Sequence, residues 1–145
     1  MSDIRVRKTK EDEVIWLNSC YEKIGFKKSE FSNEFIVVAE FNNQKFGLGR
    51  FFKLDEENCE LGGIFVDDQY RGMGIVIVSF LCDEIDWTHK NIWCLPFENL
   101  EGLHNEFGFN IPKALLPKEI FDKNVWCNKN AGYTKKVLLL SKHMS

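Results

Sequence analysis

The stretch from Glu60 to Leu81, ELGGIFVDDQYRGMGIVIVSFL, sets a cation and two glycines, Arg71, Gly72 and Gly74, between two apolar runs. That combination suits anion binding. The first N–H groups of a helix lack intrahelical acceptors and lie at the positive end of its dipole, so a helix opening at Gly74 would hold an anion at its start. Glycines let the main chain approach phosphate oxygens without a Cβ in the way. A pyrophosphate is the expected ligand. Two common phosphate loops fit badly: no Gly-Lys-Ser/Thr follows, and Ile77 stands at the third glycine position of G-x-G-x-x-G. A G-x-S-x-G elbow is also missing. The five cysteines, Cys20, Cys59, Cys82, Cys94 and Cys127, form no C-x-x-C pair, and no histidine stands at a ligand spacing from them. Buried reduced thiols are expected, and no metal.

The loop needs a strand before it and a helix after it. Cys59 to Val66 suits the strand, and Ile77, Leu81 and Ile85 recur on one helical face within an apolar stretch that ends at Trp87. The β-branched run Ile75 to Val78 also suits a strand, which is the competing assignment. Upstream, Ile4 to Arg7 alternates like a short strand, and Lys10 to Gly25 has helical spacing with Thr9 as N-cap. Glu34 to Phe41 and Lys45 to Lys53 form a hairpin around Asn42-Asn43-Gln44. Downstream lie a strand from Asn91 to Leu95, a helix from Glu98 to Phe107 ended by Gly108, and a helical turn from Pro117 to about Val125. A buried strand is expected within Tyr133 to Ser141, at Val137 to Leu140.

At 145 residues, with thirteen Phe and four Trp, the chain suits one α/β domain over 1–145 with a packed core. The net charge of −3, spread over interspersed Lys and Glu, leaves no basic stripe for nucleic acid. The polar start MSDIRVRKTKEDE has no signal-peptide core, and no apolar run approaches the ~20 residues that span a bilayer. A cytoplasmic protein without a membrane partner is expected.

The V-x-x-x-Y-R-G-x-G-I pattern from Val66 to Ile75 resembles the acetyl-CoA loop of GNAT N-acetyltransferases. Leu103-His104-Asn105-Glu106-Phe107-Gly108-Phe109 is similar to that family's L-Y-E-K-x-G-F element, at the expected distance downstream. The resemblance implies a mixed, mostly antiparallel sheet with splayed fourth and fifth strands, flanked by helices. The family signature Q/R-x-x-G-x-G/A fits in two frames: Arg71, Gly74 and Val76, or Gln69, Gly72 and Gly74. The spacing from the end of the strand favours the first, which puts Val76 where Gly or Ala is usual.

Acetyl-CoA is the implied cosubstrate, held by Ile64, Phe65, Val66, Arg71, Gly72, Met73, Gly74, Ile75, Val76 and Asn105. An amine acceptor must lose a proton before it attacks, and Glu60 matches the position of a general-base glutamate in some members. An ordinary exposed strand glutamate is the alternative. A main-chain N–H near Ile64, Phe65 or Val66 would stabilise charge on the thioester oxygen. His104 stands where a tyrosine usually protonates the leaving thiolate, with Tyr70, Tyr133 and Asn105 as substitutes; a helix-surface histidine without a role is the alternative. The implied acceptor is a small-molecule or peptide amine, selected by Ser19 to Asn33 and Asn110 to Tyr133. Homodimers are common in the family. A GNAT-fold coenzyme-binding or regulatory module with little transfer is the rival, and a structural domain without a coenzyme site would follow if Ile75 to Leu81 were a strand.

Overall fold

The computed structural model describes residues 3–30, 34–85, 90–112, 116–130 and 132–143. Its six strands are β1 (Ile4–Lys8), β2 (Glu34–Phe41), β3 (Gln44–Lys53), β4 (Asn58–Val66), β5 (Asn91–Cys94) and β6 (Leu140–His143). They form one sheet in sequence order, β1-β2-β3-β4-β5-β6. Every neighbouring pair is antiparallel except β4 and β5, which run parallel from Asn58↔Asn91 to Leu61↔Cys94. A parallel pair needs a crossover, and α2 (Gly74–Ile85) supplies it. The other helices are α1 (Val14–Lys23), α3 (Glu101–Glu106) and α4 (Lys118–Lys129).

The hairpin turn is Asn42-Asn43, both at positive φ, which is the two-residue turn that matches strand twist. Alternation along the strands then sorts side chains between two faces. On one, Val37, Ala39, Phe46, Cys59, Leu61 and Ile92 pack against Ile77, Val78, Leu81 and Ile85 of α2. The helix sits very close to β3. A Cβ added at Gly49 would lie 2.4 Å from Ile77 Cγ2, so the missing side chain is what allows this approach. On the other face, Ile36, Val38 and Leu48 bury Leu17, Cys20 and Tyr21 of α1. Ile75 to Ile85 is helical, so the strand assignment for Ile75 to Val78 fails. Trp87 lies outside the described residues.

Three local expectations change. Thr9 does not cap α1: its hydroxyl donates to the Ile36 carbonyl (3.0 Å), and the chain enters α1 through a 3-10 turn, Glu11–Glu13, in which the Glu13 carboxylate accepts from the Lys10 amide (2.8 Å). Helix α4 runs on to Lys129, with Pro117 at its N-cap rather than in its first turn. The last strand begins at Leu140, not Val137. Asn128 of α4 explains that shift. Its side chain accepts from the Val137 amide (2.8 Å) and donates to the Val137 carbonyl (2.9 Å) on the outer edge, while on the inner edge Val137 keeps only an isolated antiparallel bridge to Phe97, apart from the ladder that starts at Leu140. Among the described residues no helix is long and apolar enough to cross a membrane.

Candidate active site

Strand β4 carries the centre of the site because it bends. Leu48↔Phe65 and Arg50↔Gly62 flank a register shift, so Gly63 and Ile64 together face the single residue Gly49. That is a β-bulge. Gly63 has φ +58, and a Cβ there would lie 2.6 Å from Arg50 Nε, so both conformation and space require glycine. The Gly62-Gly63 pair within a strand was the available sequence signal for this feature. Pairing with β5 ends at Leu61↔Cys94, while β4 continues to Val66. From Gly62 to Val66, β4 therefore has β3 on one edge and no β5 partner on the other. Strand amides alternate between edges, so those turned away from β3 face this gap. Ile64, Phe65 and Val66 lie here.

Beyond Val66 the chain makes a short 3-10 turn, Asp68–Tyr70, and then opens α2 at Gly74. The Met73 and Val76 amides close turns onto the carbonyls of Tyr70 (3.0 Å) and Met73 (3.2 Å). Among the described residues, the amides of Gly72, Gly74 and Ile75 make no such bond. They are the donors left for an anion. Gly72 has φ +93, and a Cβ at Gly74 would meet only Ile64 and Val66 at 3.7 Å, an ordinary contact. Packing leaves room for a side chain at Gly74, whereas a ligand seated on its amide would not. Arg71 is exposed at the same loop. An open cavity of about 630 Å³ runs along the outer side of α2, lined by Ile4, Val6, Ile75, Val76, Phe80 and Phe107 among others. It touches the loop only through Ile75 and Val76, and includes neither Glu60 nor His104.

Glu60 lies on the α1 side of the sheet and is only 4% exposed, which removes the reading of an ordinary surface glutamate. Its Oε2 accepts from Lys123 Nζ of α4 at 2.6 Å. The same oxygen would lie 3.7 Å from a Cβ at Gly62, so the carboxylate leans along β4 toward the bulge. Lys123 Nζ also sits over the Phe52 ring, 5.4 Å from its centroid. Nothing in the local sequence announces the Glu60–Lys123 pair, which joins residues 63 positions apart.

His104 is buried in α3 against Phe109, with Nδ1 donating to the Leu100 carbonyl at 2.9 Å. Burial pushes its pKa below the usual histidine value. The ring is therefore neutral at pH 7 with its proton on Nδ1, an arrangement that gives no support to proton donation and also excludes a surface histidine. Asn105 is exposed on the same helix.

Two further groups stand near the bulge. The Tyr21 hydroxyl is fully buried, would lie 2.9 Å from a Cβ at Gly63, and has no hydrogen-bond partner among the described residues. Burial raises its pKa, so it stays protonated. The Arg50 guanidinium lies over the Tyr21 ring (4.2 Å), pairs with Glu34 (3.1 Å) and donates to the Lys27 carbonyl (2.7 Å). Phe26, Phe97 and Tyr133 form an aromatic cluster on this side, with centroids 5.1 to 6.4 Å apart. Phe26 and Tyr133 come from the two stretches expected to select the acceptor. Phe31 to Asn33 and Lys113 to Leu115, within those stretches, lie outside the described residues. Among the described residues no cluster of His, Cys, Asp or Glu is placed to hold a metal ion.

Residues 3–76 match the family described as Acetyltransferase (GNAT) family. The chain belongs to the GNAT acetyltransferase family. No curated protein matches its sequence. Among solved structures, a GNAT acetyltransferase from Elizabethkingia anophelis with acetyl-CoA bound is similar at TM-score 0.63 and 18% identity, over 99% of this chain and 100% of that one. A Mycobacterium tuberculosis protein in complex with CoA gives TM-score 0.71 and 16% identity over 97% and 99%. N-acetylglutamate synthase from Neisseria gonorrhoeae, complexed with CoA and L-arginine, gives TM-score 0.71 and 12% identity over 99% of this chain. The chain spans 34% of that synthase. At these identities the likeness is one of fold: the GNAT sheet, with β4 and β5 parallel and then parted.

Proposed function

We propose that this GNAT chain transfers an acetyl group from acetyl-CoA to a primary amine of a small molecule or peptide within a ternary complex. The observation that carries this reading is the parting of β4 from β5 after Leu61↔Cys94, directly before the loop that opens α2. Coenzyme supplies an acyl thioester activated for attack by an amine. Arg71 and the amides of Gly72, Gly74 and Ile75 hold its pyrophosphate, with Met73 and Val76 completing the loop. The Val76 amide is already bonded to Met73, so its side chain limits access less than the signature alone suggests. The free edge of β4 near Ile64, Phe65 and Val66 supplies an N–H to the thioester oxygen.

The acceptor approaches from the opposite side of the sheet, where Glu60 takes its proton. The leaving thiolate takes a proton from solvent or from the amine that has attacked, since His104 is neutral and tied to Leu100. The gonococcal synthase complexed with CoA and N-acetyl-glutamate, a small acylated amine, supports a small acceptor here as well.

A second reading, a coenzyme-binding module with little transfer, draws on the cover that Lys123 forms over Glu60. Thermal-shift titration with acetyl-CoA tests both, because a ligand at 100 times its dissociation constant stabilises by roughly 2.7 kcal/mol. No shift at millimolar acetyl-CoA removes both. Given a shift, CoA thiol release across a panel of primary amines decides between them.

A further inference from the structure

We infer that the chain acetylates itself at Lys123, using acetyl-CoA as donor. The inference rests on reading Glu60 as the base that prepares the acceptor amine. If that is its task, the structure already shows an amine in the acceptor's place. Lys123 Nζ stands 2.6 Å from Glu60 Oε2, on the oxygen that leans toward Gly62 and the bulge. The ammonium therefore lies over the paired residues Glu60 and Phe52 of β4 and β3, two residues before the stretch from Gly62 to Val66 where β4 has no β5 partner. Other lysine pairs differ. Lys28–Glu22, Lys53–Glu56 and Lys90–Glu57 join two exposed partners, and Lys45–Glu13 lies by the β2–β3 turn. Only the Glu60 pair, among those described, sets a reachable amine on a buried carboxylate of β4. The Lys123 side chain is 45% exposed and the Glu60 side chain 5%, so the amine can move while the base cannot.

The surroundings suit an alkyl amine. The Phe52 ring faces the ammonium, and Cys127, one turn further along α4, lies close enough that Lys123 and Glu60 both act on its thiol electrostatically. Burial raises the Cys127 pKa, which leaves it a thiol and a poor competitor. In the step proposed, Glu60 takes one proton from the Lys123 ammonium, and the nitrogen lone pair attacks the thioester carbonyl carbon. The C–S bond breaks as the C–N bond forms. The nitrogen loses its second proton to the departing CoA thiolate, giving CoA thiol, and Glu60 returns the first to solvent. The product, N-acetyl-lysine, carries no charge. It releases Glu60 from its ion pair, so the first turnover uncovers the base for an external amine.

The test incubates the full-length protein with acetyl-CoA carrying an isotopically labelled acetyl group, followed by peptide mapping, so that acetylation acquired during expression is distinguished. Label should accumulate on Lys123 about a hundredfold faster than in Glu60→Gln, the contribution of a positioned base. Lys123→Arg keeps the ion pair and should lose the label, with Tm unchanged. In Gly74→Asp, Lys123 should label only at the background rate of other surface lysines. Equal labelling of wild type and Gly74→Asp would show chemical acetylation without the site, and would overturn the inference. So would label on Cys127 that hydroxylamine removes. If acetyl-CoA raises Tm and amines are acetylated but Lys123 stays unlabelled, self-acetylation is wrong while the proposed function stands. If acetyl-CoA produces neither a Tm shift nor label, the coenzyme site itself is misassigned and both fall.

Discussion

On the α2 side of the sheet, Cys59, Leu61, Ile77, Leu81 and Ile85 meet through apolar contact. On the α1 and α4 side, Arg50 lies between Glu34 and Tyr21, Glu60 lies under Lys123, and Arg7 with Lys45 encloses Glu13. The first side orients the loop that opens α2, the proposed coenzyme site, by ordinary packing of a helix on a sheet. The second holds polar side chains that packing alone would expel, because a buried charge is costly unless it is paired and hydrogen-bonded. Coenzyme affinity should therefore depend mainly on the loop backbone, and acceptor chemistry on ion pairs. The two sides should also respond differently to mutation.

The largest effects test what holds each side. Leu81→Ala should cost about 2–5 kcal/mol by opening a cavity under α2. Arg50→Ala should cost roughly 3 kcal/mol by leaving Glu34 and the Lys27 carbonyl short of a donor. Urea denaturation measures both, and a loss below about 1 kcal/mol for Arg50→Ala would show a solvent-screened pair, contrary to the contrast drawn here.

Next comes the proposed coenzyme loop. Gly74→Asp places a carboxylate where phosphate would sit, while the fold has room for a Cβ. The acetyl-CoA thermal shift, roughly 2.7 kcal/mol at 100 times the dissociation constant, should disappear with the apo Tm unchanged. A retained shift would mean that the loop does not carry the ligand.

A smaller effect is expected from pH. Hydrogen bonding to Arg7, then to Lys45 and the Lys10 amide, lowers Glu13 to about 2 from its ordinary 4.5, against the opposing effect of burial. A depressed carboxylate contributes stability that is present above its unfolded pKa and lost as pH falls through the folded one. Stability should therefore drop by roughly 2–3 kcal/mol between about pH 5 and 2. Glu13→Gln should flatten that part of the profile; an unchanged acid limb would exclude Glu13 as its source.

The smallest effect belongs to Tyr21→Phe. Removing a buried hydroxyl that has no partner among the described residues should raise stability by up to about 1 kcal/mol, read as Tm. A fall in Tm would show that the hydroxyl is satisfied in solution.

Much of the α2 side was legible because its signals are local. The apolar spacing of Ile77, Leu81 and Ile85, the Val66 to Ile75 pattern and Gly108 each act over one or two turns of chain, and strand, loop and helix follow in that order. The other side was not. Glu60 could be named from its strand position, but its partner lies 63 residues away on a helix whose own sequence says nothing of β4. His104 shows the same limit. Its place in the Leu103 to Phe109 element identifies the residue, while its burial against Phe109 and its bond to Leu100 decide its protonation.

By itself, the sequence determined the order of elements, the apolar faces and the glycine-bearing loop, since backbone preference and side-chain periodicity act between near neighbours. Only the tertiary structure decided that Gly63 bulges against Gly49, that β4 leaves β5 after Leu61, and that Glu60 is covered by Lys123. Those outcomes depend on which distant groups meet in a low-dielectric interior, where one hydrogen bond or one charge outweighs local propensity.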